Sequence, residues 1–294
     1  MHHNITMISQ RWIIAACVCC LLGIGAATAA PIDDAAAAYR KGDYAQAIKI
    51  FRPLAAQGHA SAQFNLGVMY VNGLGVVQNY QEAVKWFRLA ALQGHAIAQF
   101  NLGMMYVNGE GITRNYPEAV KWFHLAATQG NTNAQFSLGV IYHTGEGVTQ
   151  NYPEALKWYR LVAAQGHADA QFSLGEMYAT GQGTTKDDQE ALKWYRLAAA
   201  QGNTNAQFSL GEMYANGRGV ARDYQEALKW FRLAAAQEDA AAQFSLGEMY
   251  ANGRGITRNN REALKWFRLA AAQGIEPAKK ALKYPEMVEA AKLE

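Results

Sequence analysis

Cysteine is nearly absent from this 294-residue chain: Cys17, Cys19 and Cys20 are the only three, close together near the N-terminus. If that segment is removed, the mature protein has no disulfide, thiolate metal site or thiol nucleophile, and its stability rests on packing. Zinc ribbons, thioredoxin-like redox centres and cysteine proteases are then excluded. Charge is also scarce, with 17% of residues charged and 27 Lys or Arg against 24 Asp or Glu, a net charge of +3. A half-hydrophobic composition of this kind excludes a disordered tail protein. The basic residues form no block, so no nucleic-acid surface is expected. There is no P-loop and no serine in a G-x-S-x-G context, and nothing alternates with a strand period.

No apolar run is long enough to make a firm membrane span. The stretch WIIAACVCCLLGIG, Trp12 to Gly25, is 14 residues, short of the roughly 20 that a spanning helix needs. It follows Arg11 and precedes Ala26, Ala27, Thr28, Ala29, Ala30 and Pro31, which is the pattern of a secretory leader cleaved after Ala29. Residues 1–29 are therefore read as a Sec-type signal peptide, and the protein is expected in the periplasm or outside a bacterial cell. An uncleaved anchor and lipid attachment at Cys17, after Ile14-Ala15-Ala16, are the alternatives.

What the chain has in abundance is repetition. Trp86, Trp122, Trp158, Trp194, Trp230 and Trp266 are spaced 36 residues apart, and the surrounding text recurs in six copies from Ala60 to Ile275 without insertion or deletion. A period of that size means a stacked array. Within a copy, Ala62, Leu66, Met69, Tyr70 and Gly73 share one helical face, as do Ala83, Trp86, Phe87, Ala90 and Ala91 in the second half. Each copy therefore reads as an antiparallel helix pair.

The boundaries support this. Asn79 with Glu82 forms a capping-box pattern that recurs to Asn259 with Glu262. Gly94, Gly130, Gly166, Gly202 and Gly274 stand where a left-handed helix terminus is wanted, Glu238 being the departure. Gly67 and its equivalents fall inside the first helix, which predicts close helix packing, with the Trp86-type ring opposite the small residues. Residues 30–59 read as an N-terminal capping helix pair, 60–275 as six repeats, and 276–294 as a C-terminal capping helix.

The repeat closely resembles the Sel1-like repeats, relatives of the tetratricopeptide repeats, matching A-x-A-x-[YF]-x-L-G-x-x-Y, a G-x-G loop and A-x-x-W-[YF]-x-x-A-A-x-Q-G. The resemblance implies an all-α, right-handed α-solenoid with a concave groove used mainly to hold other proteins. No nucleophile or catalytic motif can be named in this sequence, so no enzyme activity and no cofactor is expected.

Three of the histidines, His59, His95 and His167, occupy a helix-junction position where other copies have Asn131, Asn203 or Asp239, so they read as caps rather than metal ligands. The candidate partner-binding residues lie on a stripe of the first helices that would face the groove. One row is Asn65, Asn101, Ser137, Ser173, Ser209 and Ser245; another is Val68, Met104, Val140, Glu176, Glu212 and Glu248. The stripe is apolar with amides in the early copies and acidic in the later ones. Val68, Met104 and Val140 are expected to be accessible contact residues. The expected function is an exported protein-interaction scaffold, acting as a monomer with a protein or peptide partner. A cell-wall accessory or enzyme that stacks glycan on exposed aromatics, and a homotypic array, are the other readings.

Overall fold

A computed structural model describes residues 26–292; the apolar stretch Trp12–Gly25 lies outside them. The described chain is all helical, with no strand. It divides into two compact units, one reaching Trp158 and one starting at Tyr159.

The first unit comprises α1 (Ala26–Arg40), α2 (Tyr44–Ala56), α3 (Ala60–Asn72), α4 (Tyr80–Leu92), α5 (Ala96–Asn108), α6 (Tyr116–Thr128), α7 (Thr132–Thr144) and the start of α8 (Tyr152–Ala164). The second comprises the rest of α8, then α9 (Ala168–Thr180), α10 (Asp188–Ala200), α11 (Thr204–Asn216), α12 (Tyr224–Ala236), α13 (Ala240–Asn252), α14 (Asn260–Ala272), α15 (Glu276–Ala281) and α16 (Pro285–Lys292). In each unit neighbouring helices stack as antiparallel pairs, the expected solenoid class.

The ends of these helices follow from local chemistry. The first helix of a pair stops where glycine takes a left-handed conformation, as at Gly73 with φ 67° and ψ 31°. The second starts where Asn79 accepts the Glu82 N–H at 3.0 Å, satisfying an orphan donor. Only half of the expected capping box forms: the Asn79 N–H donates to the Tyr70 carbonyl, and Glu82 turns to Lys85 at 2.5 Å.

The core is built from the predicted faces, with one correction. Ala62, Leu66 and Met69 on α3 and Ala83, Phe87, Ala90 and Ala91 on α4 are buried. The ring that meets the helical glycine is Phe87, not Trp86: a Cβ on Gly67 would lie 2.7 Å from the Phe87 ring. The same substitution of partner holds for Gly103 with Phe123 and Gly211 with Phe231. Most of the tryptophans are half-buried beside this contact, and Trp158 is buried.

Polar contacts join one pair to the next. A buried glutamine, Gln99, donates to the Ala91 carbonyl at 3.0 Å and accepts from Gln129 at 2.7 Å; Gln207 does the same with Ala199 and Gln237 in the second unit. Arg88 donates to the Tyr106 hydroxyl at 2.8 Å, and Arg232 to that of Tyr250 at 3.0 Å. The G-x-G loop latches onto the preceding pair, since a Cβ on Gly75 would come 2.6 Å from the Tyr44 carbonyl oxygen.

Both ends are covered. Ala35, Ala47, Ile48 and Phe51 of α1 and α2 share a cluster with Leu66 and Met69. At the C-terminal side the single helix expected over 276–294 folds as two short ones, α15 and α16, because Tyr284 precedes Pro285 and the residue before proline avoids helical geometry. Among the described residues no helix is long and apolar enough to cross a membrane.

Candidate functional site

The candidate stripe lies on the first helix of each pair, between the buried face and solvent. In the first unit it is supplied by α3, α5 and α7. Val68, Met104 and Val140 are only 9%, 3% and 7% exposed, which corrects the expectation of accessible contact residues. Val68 and Met104 belong to the same core cluster as Phe64, Phe100 and Leu102. A stripe one helical step from the buried face is covered once neighbouring pairs stack, and apolar side chains there join the core.

The polar members of the stripe differ in how they are satisfied. Asn65 is half-buried and its amide donates to the Ser61 carbonyl at 2.8 Å. Asn72, two turns along α3, donates to the Val68 carbonyl at 2.9 Å. On α5 the corresponding groups, Asn101 and Asn108, each have a buried Nδ2 with no hydrogen-bond partner. Asn101 is 5% exposed. A buried donor left unmade costs about 1–3 kcal/mol, so these two amides, flanking Met104, distinguish α5 from its sisters. Ser137 on α7 is likewise buried.

In the second unit the stripe lies on α9, α11 and α13. Glu176 and Ser209 are tied into the fold by Tyr195, whose hydroxyl donates to the Glu176 carboxylate and is hydrogen-bonded to Ser209. Burial, then Glu176, pushes the Tyr195 hydroxyl far above its ordinary pKa. Ser173 bonds the buried Tyr159 hydroxyl in the same manner. Sequence reasoning passed over these two tyrosines, although a tyrosine in place of a fully buried phenylalanine signals a hydroxyl in need of a partner.

Glu212 is half-buried, and burial followed by the charge of Glu248 raises its pKa, with Arg218 opposing. Arg218 itself is held by Asp188 at 2.8 Å. Ser245 is half-buried and Glu248 is exposed. Glu248 opens onto a cavity of about 560 Å³ between α13, α14 and the short C-terminal helices, lined also by Phe244, Phe267, Lys280 and Met287.

Two of the three junction histidines, His95 and His167, are side-chain caps, as the exchange with Asn and Asp suggests. His95 Nδ1 accepts the Ala98 N–H at 3.2 Å, in the place where Asp239 accepts that of Ala242 at 2.7 Å. His59 makes no side-chain cap bond. Among the described residues no three His, Cys, Asp or Glu gather in a metal-binding group.

The profile of the Sel1 repeat matches residues 36–59, 60–95, 96–131, 132–167, 168–203, 204–239 and 240–275. The chain belongs to the Sel1 repeat family. Proteins of this family are generally scaffolds for protein–protein interaction. Among solved structures, this Sel1 repeat protein is similar to a protective antigen of uropathogenic Escherichia coli strains with an SLR fold, at 39% identity and TM-score 0.81. That likeness covers 86% of this chain but only 55% of the antigen, so the chain spans about half of its length. It is also similar to a Sel1 repeat protein from Oxalobacter formigenes, at 36% identity and TM-score 0.70, covering 82% of this chain and 96% of that one. A comparison with curated proteins finds no match.

Proposed function

We propose that this Sel1 repeat protein is an exported, non-enzymatic scaffold that holds a segment of a partner protein on the stripe of its first helices. The observation that carries this reading is Glu248, exposed on the stripe and lining a cavity of about 560 Å³, with half-buried Glu212 one repeat before it. In the second unit, burial and then the charge of Glu248 make the Glu212 charge costly, and a basic side chain would relieve it. The leader-like first 29 residues support a location in the periplasm or outside the cell. Glycan stacking has less support, because the tryptophans among the described residues are half-buried or buried.

Affinity capture from envelope extract and culture medium tests the proposal. Because Val68, Met104, Val140 and Asn101 are buried, the informative variant is Glu212→Lys with Glu248→Lys. Proteins retained by the native chain and lost by the folded variant would support the stripe. An identical set on both proteins would overturn it.

A further inference from the structure

The contact between the second helix of one pair and the first helix of the next is made by an arginine in most copies. Arg88, Arg160, Arg196 and Arg232 donate to the hydroxyls of Tyr106, Tyr178, Tyr214 and Tyr250 at 2.5–3.0 Å. One copy departs. At the contact of α6 with α7 the residue is His124, whose Nε2 lies 3.0 Å from the Tyr142 hydroxyl.

The change of residue alters how a charge is accommodated. The arginines are exposed, their long stems carrying the guanidinium to solvent. His124 is half-buried, and its short side chain holds the imidazole edge-on to Trp158 of α8 at 5.6 Å. It is faced by Tyr142 from α7 and by Glu154 and Lys157 from α8. The two α8 charges oppose each other in effect, and they lie 3.5 Å apart; Lys157 also sits 5.6 Å from the Trp158 ring. Among the described residues, the Tyr142 hydroxyl is the one hydrogen-bonding group at the ring and carries no charge to offset that of an imidazolium, and the aromatic packing removes water that would solvate it.

We propose that His124 makes the packing of α6 against α7 and the start of α8 a proton-sensitive joint, firm with a neutral imidazole and loosened by protonation. Burial, the largest influence, holds the group below its ordinary 6.5, with Glu154 raising it and Lys157 lowering it. The sign follows from linkage: the open form binds the proton more readily, so stability present above about pH 6.5 is lost as pH falls through the histidine range. A second histidine, His143, touches Tyr152 on α7 and α8, so global unfolding alone would not isolate His124.

The test is local. Proton NMR should give a His124 midpoint below 6.5, assigned by the loss of its signal in His124→Arg; a midpoint at or above 6.5 overturns the proposal. Amide-exchange protection factors for 116–158, taken at pH 7.5 and pH 5.0, should drop several-fold more in the native protein than in His124→Arg or His124→Gln. Arginine restores the contact used by the sister copies, and glutamine is uncharged at both values. An equal drop in all three proteins would also overturn the joint.

Discussion

Glu238 holds a φ of 64° at a helix terminus where Gly94, Gly130, Gly166, Gly202 and Gly274 take the same conformation. A side chain there is strained, and Glu238→Gly is expected to raise stability by about 0.5–1 kcal/mol once the greater freedom of glycine in the unfolded chain is set against it. Urea unfolding at constant m-value would read this. The opposite outcome is expected inside a first helix. A Cβ on Gly103 would sit 2.6 Å from the fully buried Phe123 ring, so Gly103→Ala should cost about 1–3 kcal/mol in the same measurement. The close approach at these glycines was legible in the sequence, but the ring that makes it was not. Trp86 and Phe87 are adjacent on one apolar face, and a 3.6-residue period cannot tell which of two neighbours turns inward.

Each cap and stitch depends on one lone pair or one donor. His95 uses its Nδ1 lone pair to accept the Ala98 N–H, and its ring stacks on Phe64 at 4.7 Å. Burial lowers its pKa from 6.5, against a backbone hydrogen bond that raises it. Stability from this cap is therefore full above the ordinary histidine pKa and lost as pH falls below it. Thermal melts of the native protein between pH 7.5 and 5.0 should show a larger decline than those of His95→Asn, which copies Asn131. The glutamine relay can be tested likewise. Gln99→Ala leaves the Ala91 carbonyl and the Gln129 side chain without their buried partner, with an expected loss of about 1–3 kcal/mol on denaturation. Element types and boundaries were readable because caps, glycines and periodicity agree. The relay was not, since Gln99 sits beside Ala98 in an apolar stretch and its role depends on carbonyls from another helix. The same limit applies to the stripe: its position could be read, but burial of Val68, Met104 and Val140 depends on the pairs stacked beside them.

At the scale of the molecule, the contacts between pairs recur at fixed separations: 8 residues for Gln99 to Ala91, 18 for Arg88 to Tyr106 and 30 for Gln129 to Gln99. Every one is shorter than the 36-residue period. Removing residues 96–131 would bring Tyr142 to the place of Tyr106 opposite Arg88, and Gln135 to that of Gln99 opposite the Ala91 carbonyl. The shortened chain should still unfold cooperatively, with a lower m-value in urea and no His124. The chain is in this sense written in interchangeable words. Unequal crossing-over between near-identical gene segments would add or delete a whole copy while leaving each surviving junction with chemically equivalent partners, so this lineage can change its length by recombination without first passing through a broken fold.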